Sequence, residues 1–326
     1  MNKSTVPVLR NQLFEILELA RLSPSVHNTQ AWLVEFVDQG LKVSVDRRYT
    51  LGDGDPTGRQ AIIGIGIFCE AIVLVALEKG LEAKLSTFKD DSLTINFQSA
   101  KAQRFTDKTI DYLLKHRATD RSIYKPVAIS NQAIRYIQSA SKDLQAEIHV
   151  ISDINQIKEI ANLTSHGIGL AISSPDFRNE LGRFLVVPWS KNKRGIAVKS
   201  LYIPLFVAIF EPLLMRLGIG LPLEVKLERR RWLSASAVIA ITAEGDLTRY
   251  WIDVGRAYLR VSLIIEDLGL CQATSGAIVE ASNYHEDVEA MIGTNQRILS
   301  MIRIGKGSNH RQYSPRVDLD EIVTLS

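Results

Sequence analysis

Thiols are scarce: Cys69 and Cys271 are the only cysteines in 326 residues, and neither has a CxxC neighbour. That scarcity excludes a disulfide framework and a cysteine zinc site. It suits buried thiols in a reducing compartment, because each cysteine lies in or beside an apolar helical run. A dominant charge is missing too, with 39 Lys and Arg against 36 Asp and Glu. The basic runs Lys191-Asn192-Lys193-Arg194 and Arg229-Arg230-Arg231 are short and carry no interleaved aromatics. Both read as solvated loops, and no nucleic acid is expected as a partner. No apolar run reaches membrane-spanning length unbroken: the most apolar stretch, YIPLFVAIFEPLLMRL from Tyr202 to Leu217, is interrupted by Pro204, Glu211, Pro212 and Arg216. It reads as a buried or lid-forming helix pair, with interfacial membrane contact as the second reading. The first residues, MNKSTVPVLRNQ, hold no apolar signal core, so a cytoplasmic location is the expectation.

Familiar catalytic signatures are also absent. Gly64-Ile65-Gly66 lacks the third glycine of a dinucleotide turn and sits inside a helical run, where close helix packing is the simpler role. Asp53-Gly54-Asp55 resembles part of a calcium loop, yet Gly64 stands where the twelfth-position Glu would be. His149, His166, His285 and His310 are isolated, so no metal site is expected. No G-x-S-x-G elbow occurs.

What is present is a core. With 46% hydrophobic side chains, the chain can bury one large domain or two ordinary ones. A helix over Leu13 to Ala20 stops near Pro24, a hairpin joins Ala31–Val37 to Leu41–Asp46 through Asp38-Gln39-Gly40, and an apolar helix runs from about Arg59 to Glu78 before Lys79-Gly80 and a strand at Glu82–Ser86. The next part opens with a charged connection, Lys108 to Arg121. It continues with a helix from Asn131 to about Lys142, a strand at Ala146–Ile151, a helix at Ile154–Leu163, a strand at Ala237–Thr242 and helices at Trp251–Leu268 and Glu286–Ile292. Helices and strands mix without strict alternation, which predicts an α+β fold rather than a doubly wound sheet. A repeat is visible as well: Gly66 precedes Gly80-Leu81 with thirteen residues between the glycines, and Gly255 precedes Gly269-Leu270 with the same spacing 189 residues later. Chance and true duplication both account for such a repeat.

Two short stretches concentrate polar chemistry. SPSVHNTQAW, Ser23 to Trp32, can be helix-stop and turn chemistry, or a set of neutral hydrogen-bonding groups that read the edge of a flat heterocycle without bringing charge into a dry pocket. RATDR, Arg117 to Arg121, can be a solvated linker, or two guanidiniums and a hydroxyl that hold a phosphate. Arg303-Ile304-Gly305-Lys306-Gly307 and Ser314-Pro315-Arg316 could add cations to that phosphate or cap the final strand.

Together these elements resemble the nitroreductase-like flavoproteins. SPSVHNTQAW is similar to their APSxxNxQPW element, with Ala31 in place of Pro, and RATDR resembles their RRSxR element. Asp55-Pro56-Thr57-Gly58-Arg59, Trp251 to Ala257 and Arg303-Ile304-Gly305 are similar to the double-length, Acg-like branch, in which one chain carries two degenerate copies of the fold. The resemblance implies a nitroreductase-like fold duplicated into an intramolecular pseudo-dimer, with a first half at 1–105 and a second at 106–326 that holds an apolar lid insertion around 173–231. It implies FMN between the copies, with Arg117, Thr119, Arg121 and Arg316 on the phosphate and Pro24, Ser25 and Asn28 facing the ring. The second copy has Ser139-Ala140-Ser141-Lys142-Asp143 where SPSxxN would fall, and the first has only Arg10 before that element, so one complete flavin site is expected per chain. The family further implies NAD(P)H-linked ping-pong electron transfer to a small acceptor with no catalytic side chain, by a monomeric pseudo-dimer or a homodimer. A lidded site would instead suit a flavin-sequestering protein with little turnover.

Overall fold

The computed structural model describes residues 5–38, 40–307 and 311–324, with side chains from residue 10. Gln39 of the expected hairpin and His310 lie outside the described residues. The chain opens with α1 (Thr5–Ala20), β1 (Trp32–Val37), β2 (Gly40–Val45), α2 (Arg59–Glu78), β3 (Leu81–Leu85) and β4 (Ser92–Ser99). It continues through α3 (Ile110–His116), α4 (Asn131–Gln138), β5 (Glu147–Ile151), α5 (Ile154–Ser173), α6 (Pro175–Phe184), β6 (Leu185–Val186), β7 (Ile196–Ala197), α7 (Leu205–Ala208), α8 (Glu211–Leu217) and α9 (Leu221–Leu233). It then forms β8 (Ala237–Ala243), α10 (Thr248–Asp267), β9 (Cys271–Thr274), α11 (Ala277–Glu280), α12 (Tyr284–Ile292), β10 (Arg297–Gly305) and β11 (Val323–Thr324).

The fold is α+β. One sheet has the order β11-β1-β2-β4-β3 and another the order β5-β8-β10-β9. With β11 set aside, both share one plan: four strands in spatial order first, second, fourth, third, every neighbour antiparallel, with a long helix between the second and third. Those helices, α2 and α10, begin and end 189 residues apart, the interval of the glycine repeat. Where the first sheet has the β1–β2 hairpin, the second carries residues 152–236 between β5 and β8. β11 returns to the first sheet and pairs parallel with β1, Val323 opposite Val34.

The repeated glycines mark where the two helices touch. A Cβ on Gly66 would lie 2.2 Å from the Ile252 carbonyl oxygen, and one on Gly255 would lie 2.1 Å from that of Ile63. Only hydrogen lets the backbones approach so closely. Beside the crossing, fully buried Glu70 of α2 accepts from Arg256 at 2.7 Å and Arg260 at 2.5 Å, both of α10. Among the described residues α2 alone is long and apolar enough to cross a membrane, and it is buried in this core.

Several expected elements differ. The charged connection at 108–121 contains α3, because Thr109 accepts from the Tyr112 N–H as an N-cap and Ile110, Leu113 and Leu114 turn inward. β4 was not expected: its Thr, Asn and Gln obscure an alternation in which only Leu93 and Ile95 are buried. The helix after Asp153 runs ten residues past Leu163, to Ser173. The 202–217 run does form two helices, each started at a proline, but burial is confined to one side. Ala208 and Met215 are buried, whereas Leu205, Phe206, Phe210, Leu213 and Leu217 are exposed. Helices of four and seven residues cannot turn so many apolar side chains inward.

Candidate functional site

One cavity of about 660 Å³ collects all seven residues singled out in the sequence: Pro24, Ser25, Asn28, Arg117, Thr119, Arg121 and Arg316. Its walls come from α2, α10, β10, the segments after α1 and α3, and the 152–236 insertion. Both long helices therefore face it, α2 with Ile63, Gly64 and Ile67 and α10 with Tyr258.

SPSVHNTQAW forms a strained junction. Val26–Asn28 is one 3₁₀ turn, and His27, Asn28 and Gln30 have φ of 45°, 56° and 52°, the left-handed region that side chains disfavour. Side-chain bonds hold this shape. Ser25 Oγ accepts from the Gln30 N–H at 2.9 Å. Asn28 Nδ2 donates to the carbonyls of Lys193, Gly195 and Pro315 at 3.0–3.2 Å, while Asn28 Oδ1 accepts from Arg316 Nη1 at 2.9 Å. Gln30 donates to the Lys193 carbonyl and accepts from the Val317 N–H. The amides thus bind two distant segments of the chain and aim Arg316; they are spent on protein rather than free for a ligand.

RATDR is extended, since α3 ends at His116 with Arg117 as its C-cap and the Asp120 N–H donates to the Gln272 carbonyl at 2.8 Å. In an extended chain alternate side chains share a side, so Arg117, Thr119 and Arg121 come to one wall. Arg117 donates to Ser262 and Thr119, each at 3.0 Å. Arg117, Arg121, Arg303 and Arg316 all line the cavity, and among the described residues none makes an ion pair with a carboxylate. Burial lowers all four, Arg121 to about 10 and Arg316 to about 9, where the Arg117 charge adds to the effect. Arg316 Nε and Arg303 Nη1 are buried without a partner. Glu211, Glu224, Glu228 and Glu280 line the same cavity, yet these four guanidiniums have no carboxylate in contact among the described residues, a donor set that suits an anion.

Composition concealed several of these residues. Both basic runs were expected to be solvated loops: Lys191 to Arg194 is a loop with Lys191 and Asn192 exposed but Arg194 buried, and Arg229 to Arg231 is helical. Arg194 is buried, stacks 3.7 Å over Tyr49, and donates to the Thr29 and Gln30 carbonyls. Arg231 is buried on α9 and lines the cavity while Arg229 and Arg230 are exposed. His27 lines it too, with Nδ1 buried and unpartnered and the ring lowered to about 4 by burial and by Arg121, so it is neutral at pH 7. Glu211 and Glu224 also line the cavity, both raised by burial. Among the described residues no group of His, Cys, Asp or Glu is placed to hold a metal ion.

No family model matches the chain. Two curated proteins of Mycobacterium tuberculosis named as NAD(P)H nitroreductases are each 26% identical over 151 residues, 44% of this chain. That match spans 43% of each relative, so the chain corresponds to less than half their length. Solved structures similar to the chain include an FMN-dependent nitroreductase from Mycobacterium smegmatis in complex with NADPH, 18% identical over 66% of this chain and 97% of that one at a TM-score of 0.43. A nitroreductase with bound FMN from Desulfitobacterium hafniense is 12% identical over 66% and 97% at a TM-score of 0.42.

Proposed function

Because the chain is nitroreductase-like, we propose that its cavity binds FMN and that it is an NAD(P)H-linked oxidoreductase. The observation that carries the reading is buried Arg117 and half-buried Arg316, set against one cavity without carboxylate partners, the second with a buried, orphaned Nε. That donor set fits a phosphate. A flat ring fits as well: Gly64 lines the cavity, and a Cβ placed there would meet nothing within 4 Å.

In this reading Arg117, Thr119 and Arg316 take the phosphate, Arg121, which the resemblance also puts there, turns instead to Ser200, and Pro24, Ser25 and Asn28 wall the ring side. FMN when bound supplies two-electron redox chemistry between NADH or NADPH and a small acceptor. The chain's own part is positional. Ser262 and Thr119 orient Arg117, Asn28 orients Arg316, and neutral His27 offers a hydrogen bond without adding charge. One cavity serving donor and acceptor in turn favours ping-pong order. The shared strand plan and the 189-residue interval support reading the chain as two copies of one fold, an internal pseudo-dimer. α8 and α9 reach the cavity through Glu211, Met215, Glu224, Glu228 and Arg231, and this favours a second reading, a covered site that sequesters flavin.

Titration of the flavin-free chain with FMN tests the site. Arg117→Ala should weaken binding by about 1.5–3 kcal/mol, the range for a charge-assisted hydrogen bond. Unchanged affinity would overturn the assignment. Anaerobic stopped-flow mixing then separates the readings: bleaching by NADH or NADPH within a turnover time marks an oxidoreductase, and bleaching by dithionite alone marks sequestration.

A further inference from the structure

The cavity holds a second group of arginines with its own anchors. Arg121 Nη1 donates to Ser200 Oγ at 3.3 Å, and Arg231 Nη2 donates to the carbonyl of the next residue, Leu201, at 2.6 Å. Arg303 Nη2 reaches the carbonyls of Asp120 and Ser122, which flank Arg121, at 3.2 and 3.0 Å. All three line the cavity, near enough to one another that the charges of Arg231 and Arg303 reach Arg121. Arg117 and Arg316 take other partners: Ser262 and Thr119 for the first, Asn28 and the Leu22 carbonyl for the second. Asp120, Glu224 and Glu228 are the carboxylates whose charge reaches the second group. Glu228 faces Arg231 at 3.4 Å and also accepts from Trp232 Nε1, and burial raises Glu224 toward its neutral form, so Glu228 is the one carboxylate among the three in ion-pair contact with the group. Arg231 Nε and Arg303 Nη1 are buried and unpartnered, on residues only 6% and 1% exposed.

We propose that Arg121, Arg231 and Arg303 form a second oxyanion site, which seats the carboxylate or phosphate of a second small molecule beside the cofactor. The identity of that molecule as a redox partner rests on the flavin reading; the oxyanion site itself does not. Placed on α9, Arg231 gives the insertion between β5 and β8 a part in choosing the ligand. An acidic partner gains from the site, and a neutral or cationic one does not.

Calorimetric titration of the FMN-loaded chain with benzoate and with inorganic phosphate tests this. One oxyanion should bind per chain without displacing FMN. Preference for benzoate marks a carboxylic acid and preference for phosphate a phosphorylated partner. Arg231→Gln should weaken binding at least tenfold, as loss of a charge-assisted hydrogen bond does, with partial recovery in Arg231→Lys. Glu228→Gln should tighten it and serves if Arg231→Gln fails to fold. FMN affinity should stay within about threefold throughout, well inside the loss expected for a charge-assisted bond. Failure of both oxyanions to bind overturns the proposal. So does an Arg231→Gln chain that loses FMN as severely as Arg117→Ala, because the arginines would then form a single site. If the chain takes no FMN at all, the flavin reading falls, and the same titrations on the flavin-free chain still decide this one.

Discussion

His27 stands at a left-handed backbone position with its ring against the cavity and Nδ1 without a partner. Its pKa falls from 6.5 to about 4 through burial, helped by Arg121. Between those values the unfolded chain binds a proton that the folded chain refuses, so this residue makes stability fall as pH drops from about 6.5 toward 4. Each pKa unit corresponds to about 1.4 kcal/mol, which puts the ceiling near 3 kcal/mol. In urea unfolding followed across that pH range, His27→Gln should lose less stability on acidification than the parent; parallel curves would show that the ring is not buried neutral. Asp55 slopes the other way, because burial raises it to about 6, and only the difference between variants isolates His27. SPSVHNTQAW and RATDR were legible as places, because runs of hydroxyls, amides and spaced arginines are conspicuous. Their roles were less so. No sequence rule says that the Asn28 amide spends its donors on Lys193, Gly195 and Pro315, since those partners are fixed by tertiary approach. Arg231 was hidden for a related reason: a triple-arginine run does not declare which of its members a helix turns inward.

At the scale of elements, the α2–α10 crossing is a joint that only glycine permits. Gly66→Ala would push a methyl into the Ile252 carbonyl, and overpacking of this kind costs about 1–3 kcal/mol, occasionally more. Gly64→Ala, two residues earlier on the same helix with nothing within 4 Å, should be neutral or stabilising by up to ~1 kcal/mol from helix propensity. Thermal melts of the pair check this, and equal losses would mean that the helices do not meet at Gly66. The long apolar helices were readable because periodicity and glycine punctuation agreed. α2 begins and ends at the expected residues, Arg59 and Glu78. Short elements such as α3 and β4 were not readable, because their stability comes from the surfaces they cover rather than from their own pattern.

For the whole molecule, α2 belongs to the first sheet's half and α10 to the second's, and each is clad by the other. Residues 1–105 or 106–326 expressed alone should therefore expose a long apolar helix and aggregate or remain molten, whereas co-expression should restore a single cooperative unfolding transition. Circular dichroism and size-exclusion chromatography decide it. A cleanly folded isolated half would show that the crossing is a contact between independent domains. The α+β class and the equal glycine spacing could be read from the sequence. An insertion was expected around 173–231, but its extent, 152–236, and its place where the first sheet has a hairpin could not be read, because an insertion leaves no local signature at the strands it separates.

The bond from Arg316 to Asn28 joins residues 288 apart in the chain. At about 5–20 residues per second of synthesis, Asn28 waits roughly 15–60 s for its partner. From residue 121 onward, about the last two thirds of that interval, the nascent chain holds both the SPSVHN stretch and the RATDR arginines without the segment that fastens them. The cavity proposed to bind an anion therefore cannot mature on the ribosome before residue 316 emerges. Capture of its ligand is a late event, one that a cell short of that ligand would register as slow maturation rather than as slow synthesis.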